Sequence, residues 1–131
     1  MAASAGIILA LGLVHLLYTF RGQKLHPRDR SLIERMKEVS PVITRETTMW
    51  KTWIGFNASH GASAILFGLI YGYLALVHTA FLFRSPFLVA VGLLFLTGYV
   101  LLGKAYWFSI PLRGIVLSTA LYAAALATNW V

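Results

Sequence analysis

The chain has 131 residues, 59% of them hydrophobic, with 11 Lys/Arg, 4 Asp/Glu and no cysteine. A soluble domain carries about a quarter charged residues, so this composition excludes an ordinary water-soluble globule, and it is too apolar for disorder. Without cysteine there is no disulfide, thiolate metal site or cysteine nucleophile, and the net charge of +7 reads as topology signal and headgroup attraction rather than nucleic-acid binding, for which no recognition module is present.

Residues 2–20 form the first span: uncharged, apolar, ended by Arg21, and about as long as a bilayer crossing requires. The run lacks the basic start and small-x-small cleavage site of a signal peptide, so it is expected to be a retained span. It carries one histidine, His15, on a face with Ile8, Leu11, Gly12, Tyr18 and Thr19.

Residues 21–52 are the one hydrophilic stretch, with eight of the eleven basic residues and all four acids, Asp29, Glu34, Glu38 and Glu46. Ser31-Leu-Ile-Glu34 matches a capping box. Leu32, Ile33, Met36 and Val39 then recur at helical spacing between charged residues, which predicts an amphipathic helix on the membrane surface. Ser40-Pro41 predicts a further helix start, from which the second helix is expected to run along the interface. His26 is expected to be a solvated loop residue.

The second span covers 53–77. Asn57 and His60 lie near its start, and Ala64, Gly68 and Gly72 continue from His60 at four-residue intervals, a small-xxx-small seam that lets another backbone approach. A short outer loop with His78 and Arg84 follows. The third span, 86–103, opens on Ser85-Pro86, a cap and a first-turn proline. Residues 104–113 form a second loop, with Lys104, Tyr106, Trp107 and Arg113. The fourth span, 111–130, is announced by Ser109 and Pro111. The fold class is thus an all-α membrane protein, one domain over 1–131, as a four-transmembrane-helix bundle with an amphipathic helix between spans one and two.

Basic residues orient the chain. Ten of eleven fall in segments 21–52 and 104–113, one in the loop between spans two and three. The positive-inside rule places both charged loops in the cytoplasm and both termini outside, in an integral membrane protein expected in a bacterial inner membrane whose basic loops meet anionic headgroups. Trp50, Trp53, Tyr106 and Trp107 then form a cytoplasmic aromatic belt, with Trp130 at the other face.

Polar groups in a membrane core are costly and mark function or packing. At 1.5 Å per residue, His15 and His60 lie about 8–10 Å from the cytoplasmic end, with Asn57, Thr97, Tyr99 and Ser118 at similar depth. This layer, extended by Tyr106 and Arg113, is the candidate ligand-binding site, and Ala64, Gly68 and Gly72 are the candidate packing seam. His15 and His60 on different helices at matched depth also fit a bis-histidine haem b. No metal spacing, buried acid for a triad, or membrane carboxylate for proton-coupled transport is present.

The topology, together with Asn57-Ala-Ser-His60 and the stretch from Lys104 through Tyr106 to Arg113, resembles the membrane-associated eicosanoid and glutathione metabolism (MAPEG) family. His60 stands where that family's second helix carries glutamate. The resemblance implies a trimer that binds glutathione near the cytoplasmic side, with Asn57, Tyr106, Arg113 and Arg45 as contacts, acting as a transferase or isomerase on a lipophilic substrate. The residues themselves point first to a non-catalytic packing or accessory subunit, or a lipophilic-ligand binder. Such a protein would associate with itself or with a larger membrane complex through the seam and through Gly92, Gly98, Gly103, Gly114, Ser118 and Ala125.

Overall fold

The computed structural model describes residues 1–129; Trp130, expected in the outer belt, lies outside the described residues. The fold is all-α. Four helices are long and apolar enough to cross a membrane: α1 (Ala2–Phe20), α3 (Met49–Val77), α5 (Pro86–Tyr106) and α6 (Ser109–Asn129). Two short helices complete the chain, α2 (Arg30–Glu38) and α4 (Thr79–Arg84). These features are those of a small integral membrane protein.

The helix ends follow from local chemistry. After α1, Gly22 adopts φ +92°, a left-handed turn open to glycine and costly for other residues. Ser85 caps α5 by accepting from the Leu88 N–H at 3.3 Å, with Pro86 in the first turn. Pro111 likewise falls in the first turn of α6, where its missing N–H has no intrahelical partner in any case.

Two expected starts are corrected. Helix α2 is capped not by Ser31 but by Asp29, whose carboxylate accepts from the Ser31 N–H and hydroxyl, both at 2.8 Å. A carboxylate caps as well as a hydroxyl and adds its charge to the positive helix end. The second long helix does not begin near Pro41. Residues 41–48 form turns, closed by the Thr44 N–H to the Pro41 carbonyl at 3.2 Å and the Met49 N–H to the Val39 carbonyl at 2.8 Å. The β-branched run Val42, Ile43, Thr44 disfavours helix, and the start falls where the Thr48 hydroxyl accepts from the Lys51 N–H at 3.4 Å. Val42 and Ile43 stand almost fully exposed on this turn. The connection between α3 and α5, expected as a short loop, contains α4, anchored by the fully buried Leu82.

The chain packs as two compact units, Met1–Leu11 with Ala64–Val131, and Gly12–Ser63. In the first, α5 packs along α6 and α4 against α5, around a core of Ile8, Phe67, Tyr71, Leu96, Ile115 and Tyr122. Small residues set the helix spacing. A Cβ on Gly68 would stand 2.8 Å from Leu9 Cα and 2.9 Å from the Ala5 carbonyl oxygen, so α1 and α3 touch there nearly backbone to backbone, with Ala64 buried and Gly72 facing Ala5 on the same seam. In the second unit, Gly61 plays this part: its missing Cβ makes room for Leu16 and for the Gly12 carbonyl. The Trp53 indole N–H bonds the Leu25 carbonyl at 3.1 Å, and His26 sets its ring edge on Trp50 at 4.9 Å. The hydrophilic segment is thereby clamped to the start of α3.

Candidate functional site

Helix α3 presents Asn57 and His60 on one side, one turn apart, and α1 brings His15 against both. His15 Nε2 lies 3.1 Å from Asn57 Oδ1, and the two imidazoles meet edge to face with ring centres 4.9 Å apart. The Asn57 amide N–H2 donates to the Trp53 carbonyl at 2.9 Å. A carbonyl can only accept, so this bond fixes which end of the amide is oxygen. Oδ1 therefore faces His15, and the proton in that bond sits on His15 Nε2. The Thr19 hydroxyl donates to the His15 carbonyl at 2.8 Å. His15, Asn57 and His60 are all half-buried.

This cluster is an interhelical clasp. His15 acts as a donor to an amide, and no carboxylate takes part in its bonds. The neighbouring hydroxyls of Ser59 and Ser63 donate to carbonyls of their own helix, Phe56 and His60, at 3.0 and 2.8 Å. Nor does the pair fit haem. A porphyrin plane must pass between two ligating imidazoles, and these rings lie directly against each other. Among the described residues no three His, Asp or Glu side chains gather as a metal set. Glu46, the acid closest in sequence to α3, is exposed in the turn before it, its N–H bonded to Thr44 Oγ1.

Arg45 is exposed in the turn before α3, and the remaining expected site residues belong to the other unit. Ser118 donates its one hydroxyl proton to the Ser4 carbonyl at 2.9 Å, so the Ser4 hydroxyl, 2.9 Å away, donates to Ser118 Oγ. Tyr99 packs between Phe95 at 4.3 Å and Trp107 at 5.5 Å. Tyr106, 80% exposed, ends α5, and Arg113 is exposed in the first turns of α6. Thr97 is exposed as well. His78 bonds the Tyr73 hydroxyl at 3.2 Å.

Two residues escaped the sequence reading. The Tyr122 hydroxyl donates to the Val89 carbonyl at 3.0 Å, the Tyr71 hydroxyl to the Leu88 carbonyl at 2.7 Å, and both rings close over Gly92. The signal was available: tyrosine prefers the membrane interface, and one in mid-span must find its hydroxyl a partner. No protein-family model, curated protein or solved structure matches this chain.

Proposed function

We propose that this protein is a non-catalytic membrane subunit whose spans serve helix association, with its own copies as the first partner. The observation that carries the reading is the fate of the polar side chains. Those buried among the described residues all have hydrogen-bond partners, and the bonds between spans join His15 to Asn57, Ser4 to Ser118, and the two tyrosines to backbone carbonyls. Such bonds hold helices together and support packing over chemistry.

The outward side of α3 supplies a surface for association. Gly55, Ser59 and Ser63 recur every four residues and are exposed, with open space beyond Gly55. The row repeats the small-xxx-small pattern that Ala64, Gly68 and Gly72 use within the chain, and a second helix can approach such a row closely. In this reading segments 21–52 and 104–113 face the cytoplasm, as their basic residues direct.

Native mass spectrometry from a mild detergent tests the proposal. A homo-oligomer weakened by Ser59→Leu is the expected result. A monodisperse monomer with no co-purified protein overturns it, and retained glutathione would favour the transferase reading instead.

A further inference from the structure

The segment between α1 and α3, together with Trp50 of α3, lines an open cavity of about 540 Å³, within the range of small-molecule sites. Arg28 and Arg30 line it, with Glu34 and Lys37 from α2 and with His26 and Trp50. The cavity joins the end of one span to the start of the next, so it lies at a membrane face.

Its charges are unevenly used. Lys37 Nζ is 2.8 Å from Glu34 Oε1, and the other ion pair of α2 joins Arg35 to Glu38 at 3.4 Å. Arg28 and Arg30 belong to neither pair. With Glu34 and Lys37 offsetting each other, the two arginines leave the lining with a net positive charge. The lining residues His26 and Trp50 touch edge to face, and the nearby Trp53 indole bonds the Leu25 carbonyl, so part of the loop is tied to α3 before any ligand binds.

We propose that this cavity binds a phosphate monoester, with Arg28 and Arg30 as its principal contacts. A monoester carries about −1.5 to −2 charges at pH 7 and so balances both arginines, where a single carboxylate would leave one unmatched. Guanidinium forks fit phosphate oxygens in a paired, charge-assisted geometry. Basic cavities at a membrane face take lipid headgroups, and the same chemistry accepts a soluble ester.

The test uses the full chain in phosphatidylcholine nanodiscs. One arm titrates glycerol 3-phosphate by calorimetry. The other replaces part of the lipid with phosphatidic acid and measures, by native mass spectrometry, which lipid the protein retains. Heat in the first arm supports a site open to soluble esters, and selective retention of phosphatidic acid supports a headgroup site. In whichever arm responds, Arg28→Ala with Arg30→Ala is expected to weaken binding by tenfold or more, roughly one charged hydrogen bond. Glu34→Gln is expected to tighten it by about threefold, by removing an exposed negative charge. That gain cannot come from a damaged fold, so it guards against arginine variants that merely unfold. No heat together with equal retention of phosphatidylcholine and phosphatidic acid overturns the proposal. So does a Glu34→Gln variant that weakens binding as the arginine variants do.

Discussion

The two packed units meet the same problem, polar side chains among apolar helices, in different ways. In Met1–Leu11 with Ala64–Val131 the hydroxyls of Tyr122, Tyr71 and Ser118 reach backbone carbonyls of a neighbouring helix. Tyr122 and Ser118 are both 0% exposed. In Gly12–Ser63 the main interhelical bond runs from one half-buried side chain to another, His15 to Asn57. A carbonyl is fixed by its helix, whereas an amide and an imidazole can both turn. The expected consequence is that the first unit tolerates substitution at its close contacts less well than the second.

Glycine substitutions test this difference most severely. Gly68→Ala places a methyl against Leu9 Cα and the Ala5 carbonyl, atoms that move only if the helix moves. Gly92→Ala drives one into the buried Tyr122 hydroxyl and the Tyr71 ring. Each should cost about 1–3 kcal/mol, the usual penalty for overpacking, in a reversible unfolding titration in detergent. Gly61→Ala meets chiefly the Leu16 side chain, at 2.9 Å; that side chain can shift, so the loss should be about 1 kcal/mol or less. Gly98→Ala, with nothing within 4 Å, is the control and should stay within about 0.5 kcal/mol of the native chain. If Gly61→Ala proves as costly as Gly68→Ala, the second unit tolerates substitution no better than the first.

Hydrogen-bond deletions should give smaller effects in the same order. Bonds between membrane helices average about 0.6 kcal/mol and reach about 1.7. Tyr122→Phe removes a buried hydroxyl from the Val89 carbonyl and should fall in the upper half of that range. Asn57→Ala removes a bond between two half-buried side chains, so it belongs near the lower end. A double-mutant cycle on His15 and Asn57 measures the pair directly. A coupling larger than the whole Tyr122→Phe loss would reverse the comparison.

The sequence showed the spans because hydropathy needs no partner. The apolar run 2–20 coincides with α1, and Ser85-Pro86 marks the start of α5. It misplaced two starts because capping is a competition among neighbours: Asp29 prevails over Ser31, and Thr48 over Ser40. The short α4 was invisible, since six residues give no period. For the candidate site, depth alone matched His15 with His60, but depth does not fix rotation about a helix. Asn57 and His60 share a helix and invite pairing with each other, yet the amide turns to His15 across the gap. Tyr71 and Tyr122 were passed over because they lie deeper along their helices than the layer of His15, Asn57 and His60.

The smallest expected effect lies in the hydrophilic segment and separates its local order from the spans. The Asp29 carboxyl is held below the ordinary carboxylate range, first by the Ser31 hydroxyl and then by the Ser31 backbone N–H. A group with a lowered folded value stabilises above its unfolded value, about 3.9 for aspartate, and loses that contribution as pH falls through the folded value. Helix α2 should therefore fray from its N-terminus only below about pH 4, followed through the Ser31 amide resonance, while α1, α3, α5 and α6 keep their helical signal. Asn also caps but does not titrate in this range, so Asp29→Asn should remove the pH response without melting α2. If the Asn variant titrates as the native chain does, the cap is not what orders this segment.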